Sequence, residues 1–222
     1  MLEGTYVFPE GIDPATKTLL DECSVIYLSM SREEVSTFAT TEDYQYYSKR
    51  AKERISSSYS RLHIEHYIAA TDSKTLSKLH ATKISEVTRR GVSLARWRGR
   101  VTVLMEKIAG VTFINKLRAI CLFEADFNYW TKLVFARRMA KKSREENMLM
   151  DKVYAKKGSH CDDATTTKVF FCDFSRIMRH PVAITEADLR ECHDRMAHPL
   201  TSLVVQSWGV PKSAVKVVST AL

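Results

Sequence analysis

The segment EADLRECHDRM, from Glu186 to Met196, places Asp188 and Asp194 six residues apart, directly after the apolar run HPVAIT. A carboxylate at the C-terminal end of a buried strand loses hydration, and a divalent cation offsets that loss well, so Asp188 is a candidate metal ligand. The same residue also suits a helix N-cap, because LRECHDRM follows it and its oxygens can accept from first-turn amides. Both readings stay open on these residues alone. Cys192, His193 and His198, with His160, Cys161 and Cys172, supply soft ligands, but none of their spacings matches a zinc finger or ribbon. His63 and His66 stand three apart, a spacing that can share a metal on a helix or serve capping and packing. The pair Asp162 and Asp163 reads as part of a polar loop. No GxSxG, P-loop or dinucleotide glycine pattern occurs.

With 222 residues, 45% of them apolar and 27% charged, the chain can bury a core in one domain or in two unequal parts. The net charge of +8 raises affinity for polyanions such as nucleic acid or an acidic membrane without choosing between them. The five cysteines are scattered and form no CxxC pair, which fits a reduced, intracellular setting better than a disulfide framework. The N-terminal MLEGTYVFPEGID has no basic region followed by an apolar one, and no window approaches the length of a membrane span. A soluble, intracellular protein without a membrane partner is expected.

The elements that must position these residues follow from the spacing of apolar side chains. PATKTLLDECSVIYLSM has helical periodicity, and further helix starts are expected at Ser31 and Thr41, each with acids in its first turn. SSSYSRLHIEHY begins as a polar loop and leads into a helical pair broken near Thr71 and Asp72. VTVLMEK and KLRAICLF read as two strands joined across IAGVTFIN, where Gly110 suits a hairpin. Helical spacing returns from Phe127 to about Met150, and a loop is expected from Gly158 to about Thr167. FFCDFSRIMRH then leads to PVAIT, read as the strand that delivers Asp188. Pro199 suits the first turn of a helix through Trp208, with Gly209 and Pro211 ending it and opening another.

Asp188-Leu-Arg-Glu-Cys-His-Asp194, followed by Arg195-Met-Ala-His198 and Trp208-Gly209-Val210-Pro211, resembles the first catalytic motif of reverse transcriptases of the non-LTR retrotransposon type. Trp97, VLMEK ending in Lys107, KLRAI with Arg118, and LFEADFNYWTKLVFARRM resemble the fingers motifs that precede it, in the same order. SSSYSRLHIEHY is similar to the Ser-rich loop upstream of the fingers in some retroelement polymerases, except that Arg61 and Glu65 stand where small residues would be expected. The resemblance covers about residues 56 to 222. It implies an α+β fold: part of a right-hand polymerase, with an N-terminal helical extension (1–55), a fingers-like region (56–178) and the first strand and helix of the palm (179–222).

The resemblance also implies roles. Asp188 would be the catalytic carboxylate that binds Mg²⁺ or Mn²⁺ between the primer 3′ oxygen and the nucleotide phosphates. Lys107 and Arg118 would clamp triphosphate or template phosphates, with a solvated sheet edge as the alternative. His193 takes the place of the aromatic residue that stacks on the sugar, which puts sugar discrimination in question. The implied partners are an RNA template, a DNA primer and deoxynucleotides. The Tyr-x-Asp-Asp strand that completes the metal site in this family is not found in the 222 residues, so the chain alone is expected to be inactive and residues 179–222 to be loosely packed. A noncatalytic, basic nucleic-acid-binding module is the competing expectation. Between Lys132 and Lys157, nine basic residues, among them Arg137, Arg138, Lys141 and Lys142, face three acids, which suits either phosphate contact or a solvated surface. Trp97, Tyr129 and Trp130 are candidates for base stacking or for the core.

Overall fold

The computed structural model describes residues 7–29, 33–51, 58–149, 153–154, 158–185 and 198–221. Among these, α1 (Pro14–Ser29), α2 (Thr41–Ser48), α3 (Ile64–Ala69) and α4 (Lys74–Arg90) precede a hairpin of β1 (Val101–Glu106) and β2 (Leu117–Leu122). Then come α5 (Ala125–Thr131), a π-helical stretch (Lys132–Met139) and α6 (Ala140–Glu145), followed by α7 (Cys161–Ile177), α8 (His198–Ser207) and α9 (Lys212–Ala221). The fold is therefore mixed helix and antiparallel sheet, within the α+β class. The chain forms two compact units, one of residues 1–142 with 199–222 and one of residues 143–198.

Local chemistry explains the helix boundaries of the first unit. The Thr40 hydroxyl accepts from the Asp43 amide at 3.1 Å while the Asp43 carboxylate accepts from the Thr40 amide, a capping box that starts α2. Ser73 caps α4 through the Leu76 amide. Gly91 ends α4 at φ +66°, a left-handed conformation that glycine adopts without cost. Within α4, Ser77, Ala81, Ile84 and Thr88 are buried at intervals of three and four, and small side chains at most of these positions let neighbouring helices approach. α2 and α9 both pack against α4. Around them lie Tyr44, Trp97, Trp130, Leu133, Val134, Val210 and Val217, all fully or almost fully buried.

Four features differ from the sequence reading. Residues 198–221 are firmly packed, with Leu203, Val210, Ala214 and Val217 in the interior, because α9 presents a stripe of Ala214, Val217 and Ala221 to α4. The turn between α8 and α9 is tied down as well: Gly209 accepts from the Val35 amide at 2.7 Å, and a Cβ there would lie 2.5 Å from the Glu33 carbonyl oxygen. The run Pro181–Thr185, expected as a strand, is exposed and pairs with no strand among the described residues; an apolar run without a ladder partner does not make sheet. Of the start expected at Ser31, that residue lies outside the described ones, and 33–40 run as irregular chain whose Ala39 amide donates to the Ser85 hydroxyl.

The fourth difference falls in the second unit. The expected loop from Gly158 to Thr167 is helical from Cys161 onward, so Asp162 and Asp163 occupy the first turn of α7. Carboxylates are favoured there by the unpaired amides and the helix dipole, and the Asp163 carboxylate accepts from the His160 amide at 2.7 Å. Val169, Phe170, Phe171, Phe174 and Ile177 are exposed along the same helix.

Candidate nucleic-acid interface

Two stretches flank the hairpin with opposite charge: Ala-Arg-Trp-Arg (95–98) before β1 and Phe-Glu-Ala-Asp (123–126) after β2. The fold brings them together. The Asp126 carboxylate, almost fully buried, accepts from the Trp97 indole N–H at 2.7 Å, from the Lys83 ammonium at 2.9 Å and from Arg96. Glu124, with no exposed surface, accepts from the Ser60 amide at 2.9 Å and from the Ser60 hydroxyl at 2.8 Å, and the Arg96 guanidinium lies 3.9 Å away as an ion-pair partner. Burial favours the protonated form of Asp126, but Lys83 and Arg96 outweigh it and hold the carboxyl below its ordinary range. His80 stacks on Tyr44, ring centroids 4.9 Å apart, and burial followed by the nearby Lys83 pushes its imidazole below the usual value. Burial pushes the Tyr44 phenol up to about 12, and its hydroxyl donates to the Tyr67 carbonyl at 2.9 Å. This cluster fixes both feet of the hairpin to the helical core. Lys83, Arg96, Glu124, Asp126 and Ser60 escaped the reading of roles from sequence; the available signal was the pair of oppositely charged stretches bracketing two β-rich runs.

Above that base, every residue of β1 is exposed. The register pairs Met105 with Arg118 and Glu106 with Leu117, and the Lys107 amide continues it by donating to the Lys116 carbonyl at 3.3 Å. Side chains alternate between the faces of a strand, so Arg118 shares one face with Val101, Val103 and Met105, while Lys107 and Lys116 lie exposed just beyond the paired strands at the loop end of the hairpin. Lys107 and Arg118, assigned to phosphate binding from sequence, are thus both exposed and at neighbouring register positions. Gly110, at φ +82°, turns the connecting loop and donates its amide to the Glu106 carboxylate at 2.7 Å. Phe113 and Ile114 are exposed in the same loop.

The basic helix divides by role. Arg138 spends its guanidinium inside the unit, donating to the Ser36 and Phe38 carbonyls at 2.8 Å each and to Asp43 at 2.7 Å. It therefore acts as a clasp between the irregular chain before α2 and the π-helical stretch. Arg137 also reaches Asp43, at 3.1 Å, but is about half exposed. Lys141 is exposed and Lys142 partly so. Trp97 and Trp130 have no exposed surface and Tyr129 very little, so none of the three is open to a base. The Trp97 and Trp130 rings pack with Phe127, the Tyr129 ring packs with Tyr44 and Tyr47, and Trp130 donates its indole N–H to the buried Thr88 hydroxyl at 2.7 Å.

Asp188 and His193 lie outside the described residues. Among the described residues no group of three or more His, Cys, Asp or Glu is placed to hold a metal ion. The buried Glu124 and Asp126 are already neutralised by Arg96 and Lys83 and so do not fit a divalent cation. Among the described residues no helix is long and apolar enough to cross a membrane. No protein-family model matches the sequence, and no curated protein or solved structure matches it significantly.

Proposed function

We propose that this chain is the fingers region and start of the palm of a retroelement RNA-directed DNA polymerase, with RNA template, DNA primer and deoxynucleotides as its partners. The observation that carries the reading is the hairpin: Lys107, Lys116 and Arg118 are exposed together toward the loop end of two strands whose other end is locked to the core by Trp97, Asp126 and Glu124. Such a device holds phosphate-binding cations away from the protein at a defined angle. On this reading Lys107 and Arg118 bind nucleotide or template phosphates, Arg118 with a two-pronged guanidinium, and Arg137 and Lys141 add contacts to the nucleic-acid backbone. On the same reading Asp188 would hold Mg²⁺ or Mn²⁺, which when bound neutralises phosphate charge, and His193 takes the place of the aromatic residue that stacks on the sugar. Residues 1–222 contribute one carboxylate to that chemistry, so the chain alone is proposed to bind without extending a primer.

A noncatalytic nucleic-acid-binding module is the second reading, and it is favoured by the same cationic hairpin because phosphate affinity requires no metal. The test uses purified 1–222 with a labelled DNA primer on an RNA template. Binding that weakens linearly in log–log form as salt rises is expected, with each phosphate contact contributing a slope of about 0.9. Lys107→Glu with Arg118→Glu should reduce both affinity and slope. Binding without a salt slope overturns both readings. Extension in Mg²⁺ or Mn²⁺ that Asp188→Ala abolishes overturns the proposed inactivity of the isolated chain and supports the polymerase assignment over the module.

A further inference from the structure

Outside the hairpin, one place gathers an exposed aromatic ring and several guanidinium groups. Tyr46, on the outer side of α2, keeps 46% of its surface in solvent. The Arg50 guanidinium lies over its ring at 3.8 Å from the centroid, and that of Arg137, from the π-helical stretch, at 5.0 Å. Tyr47 supports the ring from behind with an edge contact at 5.4 Å and is itself tilted against Tyr129 at 5.3 Å, so Tyr46 stands on a column of aromatic rings that reaches the core. The charge around it is unbalanced. Arg137 and Arg138 share the single carboxylate of Asp43, and among the described residues Arg50 has no carboxylate within ion-pair distance. Lys49 and Lys132 are exposed on the two elements that form the surface.

A guanidinium stacked on an exposed ring presents its own outer face as a stacking platform for nucleobases, whose faces are available only when the strand is unpaired. A duplex would meet the cations through its phosphates but could not use that face. We propose that Tyr46, Arg50 and Arg137 form a stacking site for an unpaired base of single-stranded nucleic acid, the base lying on the outer face of the Arg50 guanidinium that Tyr46 supports and the phosphate beside it meeting Arg137. The proposal rests on the nucleic-acid partner assigned above and adds to it a second contact, away from the hairpin and selective for single strands. Its placement beside α2 makes the helices before residue 56 part of the binding surface. The basic helix then contributes mainly through Arg137, since Arg138 is committed to Asp43 and to two carbonyls.

The experiment measures binding of the full 222-residue chain to a labelled oligothymidylate of about twelve nucleotides and to an abasic strand of the same length, within the span of one single-strand binding site. Tyr46→Ala should weaken binding to oligothymidylate about tenfold and leave the abasic strand unaffected, while Tyr46→Phe should bind as the wild type does. Arg50→Glu should weaken both ligands and lower the salt slope by about 1. Arg89→Glu, which makes the same change in net charge on an arginine already paired with Glu86, should have little effect on either. If Tyr46→Ala melts far below the wild type, Arg50→Glu and the abasic comparison still decide. Equal affinity of the wild type for the two strands overturns the stacking site, as does an Arg50→Glu effect no larger than that of Arg89→Glu. Wild-type protein that binds neither strand but does bind the template–primer also overturns it while leaving the proposed function standing; failure to bind any of the three overturns both.

Discussion

The hairpin and the base on which it stands differ in almost every physical respect, although they are contiguous in sequence. At the base, Asp126 and Glu124 are buried, each held by at least two donors, and packed beside Trp97 and Phe127. A few residues away, β1 exposes Val101, Val103, Leu104 and Met105 and is joined to β2 by a loop with Phe113 and Ile114 in solvent. A two-stranded hairpin with little of its surface buried has marginal stability of its own. Its orientation must therefore come from the base, where desolvated charges make misplacement costly. The contrast teaches that the buried polar cluster serves position more than net stability, since buried ion pairs rarely outperform apolar packing yet are costly to break.

That division can be tested by mutation. Asp126→Ala removes the acceptor shared by Lys83, Arg96 and the Trp97 indole, and should destabilise the chain by about 3–5 kcal/mol in urea unfolding. A loss below about 1 kcal/mol would mean that the cluster is not the anchor. Trp97→Phe keeps a ring in the core but removes the donor at 2.7 Å from Asp126, and a loss of about 1–3 kcal/mol is expected. A smaller, pH-dependent effect follows from His80 and Asp126. Both have depressed pKa values in the fold, His80 through burial and then Lys83, Asp126 because Lys83 and Arg96 outweigh its burial. Protonation of either favours the unfolded chain, so their contributions are complete at neutral pH. Stability should fall first as pH drops below the unfolded histidine value of 6.5, and again below the unfolded aspartate value of 3.8. His80→Phe should remove the first step and leave the second, which denaturant midpoints measured across that range will show. At the exposed end of the comparison, Leu104→Thr should change stability by no more than about 0.5 kcal/mol.

How much of this was legible in the sequence depended on whether a feature is local. The helices from α2 to α6 and both strands follow from periodicity, capping residues and β-branched content, each of which acts within a few residues. Asp163 was legible as polar but not as the first turn of α7, because a loop and a capped helix start share the same residue types. Pro181–Thr185 has strand composition, but composition specifies sheet only where a partner supplies the ladder. The candidate site divides in the same way. Lys107 and Arg118 could be placed from their strands, while the ion pairs from Lys83 and Arg96 to Asp126 span 43 and 30 residues and carry no local signature. Trp97 and Trp130 fit a stacking role or the core equally well in sequence, and their side-chain N–H groups found buried acceptors in Asp126 and Thr88.

The most direct test of a rigid base presenting a nucleic-acid-binding hairpin is amide hydrogen exchange of the 222-residue chain, alone and with the RNA-templated primer. Strong protection is predicted across α4 and α5 in both conditions, and weak protection across β1 and β2 that rises on binding. Hairpin amides that exchange equally fast in the complex, while the template–primer is demonstrably bound, would contradict the account and place the partner elsewhere on the molecule.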